Sequence, residues 1–178
     1  MRANEKRLVE AATRLIAFEG GTINYTKLLK LLYIADRESL RRHHNSITGD
    51  DYISMNAGPV LSHAYNLIKG EASSEIWSRS VSPRDGYNVS LLAEPACVLS
   101  AASRAILDEV YEQYGHMNYG QLIDLVHTYP EWRFPKGSCL PISLESLLRG
   151  CGYENQDASS ISGELEEIGE CHRILGIA

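Results

Sequence analysis

Thr26-Lys-Leu-Leu-Lys-Leu-Leu-Tyr-Ile-Ala-Asp36 decides how this chain is to be read. Its apolar residues recur at steps of three and four, so Leu28, Leu31, Leu32 and Ala35 form one stripe of a helix. Leu29 and Tyr33 widen that stripe, which marks the central helix of a core. Asn24 stands where an N-cap belongs, and the helix is predicted from about Tyr25 to His43. Along another side, Lys27, Lys30, Arg37 and Arg41 share an edge, with Arg42 beside them. That basic edge is either a solvated face paired with Asp36 and Glu38 or a surface for a partner.

Upstream, Asn4 can cap a helix carrying Leu8, Ala11, Ala12, Leu15 and Ile16, which Gly20-Gly21 ends. Downstream, Asn45-Ser-Ile-Thr-Gly-Asp50 reads as a turn and Asp51 to Asn56 as a short alternating strand. Gly58-Pro59-Val60 reads as a strand-to-helix joint: Pro59 suits a helix's first turn, with Val60, Ala64, Leu67 and Ile68 facing the core as far as Gly70. Ile76 to Ser82 and Tyr87 to Leu92 flank the hairpin turn Pro83-Arg-Asp-Gly86. Ser100, Asn118 with Gln121, and Ser143 each precede a helical pattern, and Pro130 stops the second of these. Tyr153 to Ser160 reads as a polar linker to a last helix bearing Ile161, Leu165, Ile168 and Leu175. The predicted fold is mainly α within the α+β class. It is a compact helical domain over residues 1–152 with a short strand and a central β-hairpin, followed over 153–178 by a linker and a helix packed on the domain or specific to a partner. The element order is loosely that of a winged helix.

With 178 residues, 44% hydrophobic and 22% charged, the chain is long and apolar enough to bury one core, which excludes disorder for most of it. No run reaches the roughly 18 apolar residues of a membrane span, and Met1 to Arg7 leads into an amphipathic pattern, so a cytoplasmic protein is expected. Cys97, Cys139, Cys151 and Cys171 lie far apart without a CxxC pair, so they read as reduced thiols rather than a disulfide framework or zinc knuckle. Residues 1–44 hold nine Lys and Arg against five Asp and Glu, a net +4, while the remainder holds eight against eighteen, a net −10. The acidic whole argues against a general nucleic-acid binder and leaves a local basic patch for phosphate or an acidic protein.

Asp50 and Asp51, with His43, His44 and His63 nearby in sequence, come nearest to an acid-base or metal cluster. Adjacent strand residues point to opposite faces, however, so capping or solvated roles are the expectation. Cys171-His172 with Cys139 and Cys151, or His127 with Cys97 or Cys139, would need tertiary assembly that no spacing announces. The chain has no GxSxG, GxxxxGK[ST] or HExxH motif. No catalytic residue, metal or cofactor is expected. Were the fold a winged helix, the Pro59 to Lys69 helix would enter the major groove, yet it offers only Asn66 and Lys69. Nucleic acid is therefore not the expected partner. Pro130-Glu-Trp132-Arg-Phe-Pro135 joins aromatic bulk to a stiff backbone, and Trp132 is read as a packing wedge.

Tyr25 through Leu40, Ile47-Thr-Gly-Asp50, Tyr52, Met55, Gly58-Pro-Val-Leu-Ser62, Tyr65, Leu67-Ile68 and His127-Thr-Tyr-Pro-Glu-Trp132 together resemble the Panacea, or SocA-like, antitoxin domain over about residues 5–150. The resemblance makes Leu31, Tyr33, Asp36, Gly58, Pro59, Val60, Tyr65, His127, Pro130 and Trp132 structural members of the motif. It implies a mostly helical, non-enzymatic antitoxin that neutralises a cognate toxin, encoded by a neighbouring gene, through direct protein contact. Members pair this scaffold with unrelated toxins, and one is described as an adaptor delivering its toxin to a protease. The alternatives are an adaptor delivering the toxin to a protease as additional partner and, from the winged-helix-like element order, a DNA-binding regulator; a homodimer is compatible with these readings. Lys27, Lys30, Arg37 and Arg41 are the expected partner contacts. A chain of this size exposes roughly 8,600 Å², and a standard interface takes only about 800 Å² from each partner.

Overall fold

A computed structural model describes residues 4–175. Asn4 Oδ1 accepts from Arg7 N at 3.2 Å and starts helix α1 (Glu5–Phe18). A three-residue strand β1 (Thr22–Asn24) leads into α2 (Tyr25–His43), whose cap is Asn24, accepting from the N–H groups of Thr26 and Lys27. The hairpin β2 (Tyr52–Met55) and β3 (Gly58–Leu61) follows, then α3 (Ser62–Lys69), α4 (Glu75–Ser80) and β4 (Asn88–Ser90). Next come α5 (Ala101–Tyr114), α6 (Tyr119–His127), β5 (Leu140–Ile142), α7 (Leu144–Gly150) and α8 (Asn155–Leu175). Eight helices and five short strands among the described residues make the fold mainly α with some β.

The apolar stripe predicted on α2 is buried throughout, and α1, α3, α5, α6, α7, β1 and β3 all pack around this one helix. Each fully buried leucine on it contributes about 1.5–3 kcal/mol relative to exposure. The Asn118–Gln121 capping box of α6 forms as the spacing predicts.

Several elements depart from the expectation. Pro59 does not open a helix; it lies in β3, with Ser54↔Pro59 in register. The sheet order β3-β2-β5 puts β3 at an edge, where a missing N–H costs no ladder bond. Helix α3 begins only at Ser62, because the Asp50 carboxylate caps it, accepting from His63 N at 2.9 Å and Ala64 N at 3.0 Å. Ile76 to Ser80, expected as a hairpin arm, is helical: Ser74 caps it, and Trp77, Ser80 and Val81 are buried at helical spacing. The turn itself closes, Asp85 and Asn88 exchanging hydrogen bonds at 3.0 and 2.9 Å. The end of the incoming arm pairs as expected, Val81 opposite Leu91 and Ser82 N donating to the Ser90 carbonyl at 2.9 Å, while the outgoing strand β4 takes β1 on its other edge. The strands β1 and β5 lie outside what the pattern announced. Finally, the expected linker is mostly helix, since α8 starts at Asn155 and seats Ala158 and Ser162 in buried positions beside α7.

Candidate interaction surface

The joint between α2 and the hairpin is built from buried polar groups. Asp36, fully buried, accepts from Ser46 Oγ (2.9 Å), Ile47 N (2.8 Å), Thr48 N (3.0 Å), Thr48 Oγ1 (2.5 Å) and Tyr52 OH (3.1 Å). The turn before β2 is thereby wrapped around one carboxylate, whose pKa burial raises and these donors pull back down. Burial likewise raises the Asp50 carboxyl to about 6, against the three backbone N–H groups that it accepts from. Lys30 crosses from α2 to β3, where Nζ donates to the Pro59 carbonyl at 2.9 Å, and burial lowers its pKa to about 7.

Gly58 lies against this lysine. A Cβ there would stand 2.6 Å from Val126 Cγ2 and 3.3 Å from His127 Cδ2 and Lys30 Nζ, and its φ is +92°, so glycine is required on both counts. His127 stacks on Trp132 with centroids 3.9 Å apart, and Trp132 Nε1 donates to the Met55 carbonyl at 3.1 Å. Burial and the neighbouring Lys30 charge lower the His127 pKa. Pro130 ends the turn after α6 and delivers Glu131 to the interior, where Oε1 accepts from Tyr33 OH (2.9 Å) and Arg37 Nε (2.7 Å). Leu31 and Val60 are buried in the same core, and Tyr65 packs against it.

The basic edge of α2 is therefore not one open face. Lys27 is buried, its Nζ donating to Glu19 Oε1 (2.6 Å) and to the Gly115 carbonyl (2.7 Å). Lys30 is enclosed as described. Arg37 lies over the Tyr129 ring at 4.2 Å and also donates to the Gly150 carbonyl at 2.6 Å, tying α7 to α2. Arg41 is the exposed member, and Glu38 accepts from it at 2.8 and 2.6 Å. The four expected contact residues thus divide, three into the scaffold and one at the surface. Periodicity along α2 could not show this, because what covers that side arrives from α5, α6 and the hairpin.

Of the other candidates, Asp50 is a helix cap, and His63 Nε2 lies 3.1 Å from Glu5 Oε1. His44 Nε2 meets Tyr153 OH at 2.7 Å, away from them. Among the described residues no group of three or more His, Cys, Asp or Glu is placed to hold a metal ion. Cys97, Cys139 and Cys171 are exposed, Cys151 is half-buried, and all four are free thiols. No helix is long and apolar enough to cross a membrane among the described residues.

Two exposed regions have the make-up of contact surfaces. Beside β5, Phe134 (61% exposed) packs edge-on against Trp132 and Leu140 (41% exposed) pairs with Ser54, with Arg133 between the two rings in sequence. This aromatic edge stands directly on the joint. The second is a groove of about 720 Å³ between the end of α3, helix α4 and the Pro83 turn, floored by Leu67, Trp77 and Val81. At its rim Lys69 Nζ donates to Tyr25 OH at 3.0 Å, and Tyr87, 71% exposed, stacks on Tyr25 at 6.1 Å. Neither region shows in the sequence, since each is assembled from separated segments.

No curated protein and no solved structure gives a significant match to the chain. The model of the family described as Antitoxin SocA-like, Panacea domain, matches residues 28–133, which covers α2 from Leu28 onward, the Asp36 turn, the hairpin and the loop through Trp132. With well over half of its length matched, and with the joint lying inside the matched span, the chain belongs to the SocA-like antitoxin family with a Panacea domain.

Proposed function

We propose that this chain neutralises a protein toxin by binding it directly and covering the surface with which the toxin acts. Its family membership gives it a general antitoxin role and implies a toxin as counterpart. The observation that carries the finer reading is where the motif residues go. Tyr33, Asp36, Gly58, Trp132 and Glu131 hold the hairpin, the α6 turn and α2 together from inside, which makes a rigid scaffold and leaves the exposed aromatic edge and groove free for contact. Occlusion needs this kind of preorganised surface, and a standard interface of about 800 Å² is under a tenth of the 9235 Å² the chain exposes. The DNA-binding alternative finds little support in charge, since over residues 69–85 the cations Lys69, Arg79 and Arg84 are matched one for one by Glu71, Glu75 and Asp85, with Arg79 paired to Glu75 one turn earlier in α4.

Co-expression tests the proposal. A host producing the toxin encoded beside this chain is expected to regain growth when the chain is supplied, with the toxin persisting in a complex. Absence of rescue sinks the reading, and rescue with a shortened toxin half-life replaces masking by delivery to a protease.

A further inference from the structure

We propose that the groove between α3, α4 and the Pro83 turn is the seat of an acidic segment of the toxin, one with carboxylates flanking a large apolar side chain. This rests on the toxin-binding reading above and names the surface for it. Its volume of about 720 Å³ lies within the roughly 300–1,000 Å³ of binding clefts. Ala72 and Pro83, over the nearly closed floor of Leu67, Trp77 and Val81, offer apolar surface to one inserted side chain.

The rim sets the charge of the occupant. Lys69 Nζ lies over the rings of Tyr25 at 4.6 Å and Tyr65 at 5.4 Å, and the Arg84 guanidinium lies 5.9 Å from the Tyr25 centroid. These aromatic faces hold both cations without neutralising them. Among the described residues neither forms an ion pair; of the nearby carboxylates, Glu71 and Asp85 lie outside the groove's lining, and Glu75, which lines it, is tied to Arg79. On a chain of net charge −6, an acidic ligand is repelled generally and attracted at this rim, which orients its approach. The exposed Tyr87 ring extends the shelf toward such a ligand.

Calorimetric titration of the full chain with its co-encoded toxin, at low and high salt, tests the assignment. Lys69→Glu with Arg84→Glu is expected to weaken binding by roughly tenfold or more and to flatten its salt dependence. The free variant should keep its melting temperature. Tyr87→Ala should weaken binding and leave the salt slope unchanged. Should reversal disturb packing on Tyr25, Lys69→Met with Arg84→Met retains the aliphatic stems and carries the same expectation. Wild-type affinity in the folded groove variants overturns the proposal, as does loss confined to Phe134→Ala, at the aromatic edge, or Arg41→Glu, on the α2 edge. A wild-type chain that fails to bind the toxin at all rejects the antitoxin reading itself, and the groove assignment with it.

Discussion

Lys30 sits where water does not reach it, with the Pro59 carbonyl as its acceptor. Its folded pKa is lowered to about 7, while an unfolded lysine titrates near ~10.4. Between those values the unfolded chain holds the extra proton, so the lysine's contribution to stability is full above the unfolded pKa and is lost as pH falls through the folded one. Urea unfolding from pH ~7 to ~9.5 should therefore show wild type gaining stability relative to Lys30→Met. A pH-independent difference would mean that the amine is solvated. Gly58→Ala places a methyl against Val126 at a left-handed φ and is expected to cost about 2–4 kcal/mol in the same measurement; a loss under about 0.5 kcal/mol would show that the hairpin shifts freely. The spacing of α2 gives the position of Lys30 on the helix. Its acceptor lies 29 residues further along the chain, on a hairpin whose docking no local pattern encodes.

Elements defined by their own residues were legible: α1, α2, α5, α6 and α7 begin at the Asn or Ser caps that the sequence offers. Elements defined by a distant partner were not. The strand β1 is three residues long and exists because Thr22 meets Ser90, and β5 because Leu140 meets Ser54. The segment Ile76 to Ser80 shows a local competition: its composition suits a strand, but Ser74 caps a helix there, and only the residues after it, Val81 and Ser82, pair with the turn's outgoing strand. Helix α8 divides along its length, with Ala158 fully buried and Ile168 51% exposed. Ala158→Leu should overpack the α7–α8 contact and cost about 1–3 kcal/mol, lowering the melting temperature, whereas Ile168→Ser should stay within about 0.5 kcal/mol. Equal losses would show that the distal part of α8 is held as firmly as its start.

At the scale of the whole molecule, the charge polarity of the sequence does not become one open basic face on α2. Much of the positive charge of residues 1–44 is drawn inward or paired, as at Lys27, Lys30 and Arg37, while the groove rim owes its charge to Lys69 and Arg84 from the acidic remainder. The family could be read from Lys27 to Asp36, Gly58 to Ser62 and His127 to Trp132 because those residues build one joint, and a joint tolerates little change in its parts. The surface proposed for contact could not be read, because it is assembled from side chains of separated segments that the joint leaves over. The most direct test is titration of the active toxin with the purified chain, following heat and toxin activity together. The account predicts saturable binding, with activity falling in step with complex formation and returning when the complex is dissociated. A toxin that remains fully active when saturated with this protein would contradict it.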